Sequence, residues 1–98
     1  MKKFVLLHYG FVTPTPEIME AWTDWHASIG DRLVEMCGPF APGVEITRTG
    51  VNELAGGLEA MTGYSVIHAD SMDAAVEIAK ACPSITSVRV YEVMSMQK

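Results

Sequence analysis

Two short apolar runs, each followed by a capped helical pattern, constrain the fold of this chain more than any other feature. Lys2–Tyr9 (KKFVLLHY) is strongly apolar and stops at Gly10, and Tyr64–Ala69 (YSVIHA) is its counterpart in the second half. Both read as central strands, the first buried on both faces. After the first run, Thr15 is a good N-cap, Pro16 suits the first helical position, and Glu17 favours the positive helix end. Apolar residues then recur at Ile18, Trp22, Trp25, Ile29, Leu33 and Met36. These steps of three and four residues predict one helical face, with a break or kink at Gly30, where glycine costs about 1 kcal/mol against alanine. After the second run, Ser71 caps a helix predicted over Met72–Ala81, whose small face includes Ala75, Ile78 and Ala79, and Cys82-Pro83 stops it.

Between these units, Gly38-Pro39 and Pro42-Gly43 mark turns. Val44–Val51 alternates apolar and polar residues, as a strand near a sheet edge does. Asn52–Gly63 is glycine-rich and reads as a loop, with a helical turn expected at Glu53–Leu58. Ser87–Met94 (SVRVYEVM) alternates again and predicts an outer strand. The order is therefore β-α-β-β-α-β. Right-handed crossovers prune the layouts to a ferredoxin-like α+β fold: an antiparallel four-stranded sheet of order 4-1-3-2 with both helices on one face.

That layout leaves the other sheet face bare, and composition says what to expect of it. Ninety-eight residues fit one domain, residues 1–98, yet 49% of them are apolar. So small a domain seldom hides that much, so a homodimer formed through the open sheet face is expected. The net charge is −5 and the seven basic residues are scattered, which argues against nucleic acid and anionic membranes as partners. The run Phe4–Leu7 is too short to span a bilayer, and no small-residue cleavage site follows it, so a cytoplasmic location is expected. Cys37 and Cys82 lack the spacing of a redox pair or zinc site and read as free, mostly buried thiols.

Larger blocks of the sequence resemble a known family. The opening KKFVLLHYG, the segment WTDWHASIGDRL, the turn CGPFAPG, the run GYSVIHADSMDAAVEIAKACP and the closing VRVYEV together cover nearly the whole chain. In these the chain resembles the YCII-related proteins, in particular the branch near the DGPF domain. The resemblance implies a ferredoxin-like subunit that pairs sheet to sheet as a dimeric α/β barrel. It also implies, for the lyase-like members, acid/base chemistry by a histidine–aspartate pair. His26 stands at the position of that histidine, whereas Cys82 stands before Pro83 where the family pattern has its aspartate.

The residues themselves suggest further candidates. His8 and His68 each lie near the carboxyl end of a predicted central strand. Treated as parallel neighbours about 4.8 Å apart, these strands bring both imidazoles to one end of the sheet. Histidine titrates near neutral pH, so His8, His26 and His68 are each candidates for acid/base work or ligand contact, against the plainer reading of hydrogen-bonded structural histidines. Asp70, beside the Ser71 cap, either favours the helix N-terminus or orients His8 or His26. Trp22 and Trp25 read as packing anchors or as walls of a ligand site. Arg89 and Tyr91 share a strand face, where Arg89 would meet a ligand carboxylate or a salt-bridge partner across a dimer. No metal-ligand spacing, phosphate loop or nucleophile motif occurs, so no metal or cofactor is implied. The leading expectation is a small-molecule enzyme or binder with a pocket lined by His8, Trp22, His26 and His68 and a lyase- or isomerase-like proton transfer. The alternative is a non-catalytic dimerisation or ligand-sensing module.

Overall fold

The computed structural model describes residues 1–94. Its elements are β1 (Lys2–Tyr9), α1 (Pro16–Ile29), a 3₁₀ turn (Gly30–Arg32), β2 (Leu33–Cys37), β3 (Val44–Thr47), β4 (Gly50–Glu53), β5 (Met61–Ala69), α2 (Met72–Lys80) and β6 (Ser87–Glu92). The architecture is α+β: a four-stranded sheet in the order β2-β5-β1-β6 with every neighbouring pair antiparallel, compatible with a ferredoxin-like arrangement. No helix among the described residues is long and apolar enough to cross a membrane.

The two helices start where local chemistry favours it. The Thr15 hydroxyl accepts from the Ile18 amide at 3.2 Å, and the Ser71 hydroxyl accepts from the Ala74 amide at 3.1 Å, so each cap satisfies a donor the helix leaves orphaned. The first helix ends at Gly30, whose φ of 60° is one that L side chains rarely adopt. The helical periodicity through Leu33 and Met36 is therefore not continued in space. The chain passes through the 3₁₀ turn and becomes β2, with Leu33 opposite Ile67 and Met36 opposite Ser65.

The second strand of the main sheet is thus Leu33–Cys37, and Val44–Val51 is not in that sheet. Val44–Thr47 and Gly50–Glu53 instead form a separate two-stranded hairpin, all of whose residues are exposed. Alternation correctly reports extended backbone there, but it carries no information on which sheet receives the strand. Glu53–Leu58 contains no helical turn, Cys37 is exposed rather than buried, and the last strand stops at Glu92.

The core lies on one face of the sheet. Phe4 and Leu6 of β1 and Ile67 and Ala69 of β5 pack against Trp25 and Ile29 of α1 and Ala75 and Ala79 of α2. Small residues on α2 let that helix approach closely, and the Trp25 indole N–H donates to the Ile78 carbonyl at 3.1 Å, tying the helices together at a partly buried point. Residues of opposite parity (Val5, Leu7, Val66, His68) face away from the helices and are only half-buried. The molecule is accordingly thin, 18 Å along its shortest axis, about what one sheet and one helix layer occupy. Phe4→Ala is expected to lower stability by about 3–5 kcal/mol, since it empties a fully enclosed site. Ile46→Ala, on the exposed hairpin, should change it by less than about 0.5 kcal/mol. Urea unfolding of the two variants measures the contrast, and equal losses would contradict a single core on the helix side.

Candidate functional site

Side-chain volume along the inner face of the sheet falls away beyond Ile67. On β5 the inward residues run Ala69, Ile67, Ser65, Gly63, and on β1 they run Phe4, Leu6, His8. The helices fill the space at the Phe4 and Ile67 end. At the other end Gly63 has no side chain and Ser65 a small one, and a cavity of about 420 Å³ opens between α1, the start of the β1–α1 loop and the sheet. A β-bulge sits beside it: His8 pairs with Gly63 and Tyr9 with Met61, so Thr62 is extra, and its hydroxyl donates to the His8 carbonyl. Gly63 is required here for a second reason, because a Cβ would fall 2.6 Å from the Cys37 carbonyl oxygen of β2.

His8 forms the floor of this cavity and is 5% exposed. Its Nε2 lies 2.9 Å from the Ser65 hydroxyl and its Nδ1 lies 3.0 Å from the Ser84 hydroxyl. The Cys82 sulfur is 3.4 Å from the same Nδ1 and 3.0 Å from Ser84. A neutral imidazole has one donor and one acceptor, and a hydroxyl on each side satisfies either tautomer. Trp22 and Trp25 meet the ring edge-on, with centroids at 4.9 and 5.8 Å, and His26 continues the cluster 5.8 Å from Trp22 and 5.2 Å from Trp25. Trp22 and His26 line the cavity; Trp25 lies beneath it in the core.

Burial pushes the His8 pKa down to about 4, and the nearby His26 adds to the effect. Burial also lowers His26, which is half-buried at the wall. Both rings are therefore neutral at physiological pH. Burial pushes the Cys82 thiol up, so it stays protonated and is no substitute for a carboxylate beside an imidazole. Chemically, the site offers a neutral imidazole held between two hydroxyls, able to accept a hydrogen bond at one nitrogen, donate one at the other and relay a proton from one to the other with no net change of charge, and a second imidazole nearer solvent.

His8, Trp22 and His26 are thus brought together as the sequence suggested, and His68 is not with them. Strands β1 and β5 are antiparallel, so their carboxyl ends lie at opposite edges: His8 pairs with Gly63 and His68 with Lys3, about 17 Å apart along the strand. His68 also points to the open face, where its Nδ1 is buried with no partner among the described residues. Asp70 is exposed beside the α2 cap at that same far end, which removes it as an orienting group for His8 or His26. Arg89 and Tyr91 lie on the open face as well, with the Arg89 guanidinium 4.6 Å over the Tyr9 ring, and neither lines the cavity. Cys82 contacts His8 rather than His26, so the position before Pro83 serves the strand histidine. Sequence reasoning missed Ser65 and Ser84. Period-two alternation places Ser65 on the face of Ile67, a polar residue on a core row, which is a usable signal; Ser84, in the loop after Pro83, offers none. A second concavity of about 550 Å³ lies under the Leu54–Met61 loop and carries Glu59 and Tyr9 as its ionisable groups. Among the described residues no group of three or more His, Cys, Asp and Glu side chains is placed to hold a metal ion.

The depressed His8 pKa has a stability consequence whose sign is definite. Its folded value lies below the unfolded value near 6.5, so protonation favours unfolding. The neutral ring's contribution is intact above about pH 6.5 and is lost as pH falls towards 4, by about 3 kcal/mol in all. His26, lowered in the same direction, adds to the loss. His8→Gln should flatten this part of the stability profile between pH 6.5 and 4, measured by urea unfolding. An NMR titration in which the His8 ring protonates near pH 6.5 would contradict the assignment.

No protein-family model matches the chain, and no curated protein is significantly similar to it.

Proposed function

We propose that this chain is a small-molecule-binding protein or enzyme of the YCII-related kind, binding its ligand in the cavity between α1 and the sheet and using histidine for lyase-like acid/base chemistry. The observation that carries this reading is His8: a buried neutral imidazole, clamped between Ser65 and Ser84, at the floor of an open cavity that His26 also lines. Core histidines without a task do not need a solvent-connected space above them. In this reading His26, nearer solvent, exchanges protons with water, and His8 fixes or relays a proton at the reacting atoms.

The non-catalytic, ligand-sensing alternative has one observation in its favour. Both His8 ring nitrogens already have hydroxyl partners, which leaves the ring no free position for a substrate unless a serine moves. The two readings share a site and differ in turnover. Ring signals of His8 and His26 followed by NMR during a small-molecule screen should shift together on binding. His26→Ala and His8→Gln should each weaken binding or turnover by about tenfold or more, while circular dichroism confirms folding. Ligand binding or activity retained in both variants would sink the proposal. Binding lost in both with no turnover by the parent would select the sensing module.

The same proposal includes a homodimer, paired through the open sheet face in the manner of dimeric α/β barrels. Its support is the half-buried apolar row Val5, Leu7 and Val66, together with the exposed hairpin residues Val44, Ile46 and Val51. Sedimentation at micromolar concentration should give twice the 10.7 kDa chain mass, and Leu7→Lys with Val66→Lys should give the single mass with the helical spectrum retained. A monomer for the parent chain would overturn the pairing.

A further inference from the structure

Accepting the cavity as a ligand site, the charge character of its walls narrows the class of ligand. Around the cavity are apolar side chains such as Phe11, Val12, Ile18, Met19, Trp22 and Ile85, and no described residue in the wall carries a full charge at neutral pH. The Ser65 and Ser84 hydroxyls stand at the floor on either side of His8, while His26 and Thr23 are in the α1 wall, the Thr23 hydroxyl turned back onto the Met19 carbonyl. Tyr64 also lines the cavity, and its hydroxyl donates to the Glu35 carboxylate, which lies outside the wall.

We infer that the cavity selects an uncharged ligand, with an apolar body against Trp22 and one neutral hydrogen-bonding head, a hydroxyl, carbonyl or carboxamide, set against Ser65 and Ser84. A carboxylate or phosphate entering this space leaves its hydration shell and finds no lysine or arginine in the wall to replace it. A cation fares no better, since it too gives up its hydration shell and meets no acidic side chain in the wall. A neutral head gives up less solvation and trades hydrogen bonds with the two hydroxyls in kind. Placing the two serine hydroxyls at the closed end and the apolar groups around the sides orients such a molecule head-first.

Three probes of nearly one shape separate the effect of charge from that of size: naphthamide, naphthoate and naphthamidinium. Titrated into the full chain at neutral pH and followed by the Trp22 indole and His8 ring NMR signals, naphthamide should bind at least about tenfold more tightly than either ion. Ser84→Ala should weaken naphthamide by roughly two- to tenfold and leave naphthoate unchanged. Thr23→Lys tests the inference without touching the floor. Thr23 is an exposed residue of α1 in the cavity wall, and an ammonium there should make naphthoate the preferred probe. Naphthoate or naphthamidinium binding the parent as tightly as naphthamide would overturn the charge selectivity and leave the ligand-binding reading standing. No shift at Trp22 or His8 with any of the three would overturn both.

Discussion

Everything about the site depends on the unequal filling of one sheet face. Where β1 and β5 present Phe4, Leu6, Ile67 and Ala69, the two helices close down on them and the core is dry and tight. Two residues further along β5 the side chains shrink to a hydroxymethyl and then to hydrogen, and the cavity opens between them and α1. The space has to exist because nothing in the chain is large enough to fill it. Gly63 cannot be enlarged to close it, since β2 backbone already occupies the place of a Cβ.

That emptiness explains how His8 can be buried and yet accessible. Its ring belongs to the core row by register, so it is stripped of water and kept neutral. Its two nitrogens are satisfied by serines from different parts of the chain, Ser65 in β5 and Ser84 in the loop after α2. Aromatic edges from Trp22 and Trp25 hold the ring plane. Such a group is preorganised: its orientation is set before any ligand arrives, and binding does not have to order it.

Much of this was legible in the residues, and the failures have physical causes. The caps at Thr15 and Ser71, the stop of the first strand at Gly10 and the anchoring role of Trp25 follow from local chemistry that tertiary structure did not override. Trp22 and His26 share a helix face by spacing alone. The strand Leu33–Cys37 was hidden because Leu33 and Met36 extend the helical period of α1, and only the backbone at Gly30 tells the two continuations apart. The hairpin Val44–Glu53 was readable as extended chain but not as a separate sheet, because alternation describes a strand and not its neighbour. The association of His8 with His68 failed on strand direction. Adjacent antiparallel strands send their carboxyl ends apart, so two histidines in matching sequence positions finish at opposite edges.

The hairpin β3–β4 shows how unevenly cohesion is distributed in so small a chain. It hangs from the sheet between Cys37 and Met61, closed at its base by the Leu54 amide donating to the Gly43 carbonyl at 2.8 Å, with no buried side chain of its own. Isolated two-stranded hairpins are marginal in water, so in a lone subunit its amides exchange with solvent through local opening while those of β1 wait for global unfolding. The segment can therefore change in sequence, length or conformation with little cost to the site, which is built from residues before and after it. Cohesion of the hairpin rests on its own ladder and the bond at its base rather than on the subunit's core, so this one region answers to its surroundings more readily than the sheet does.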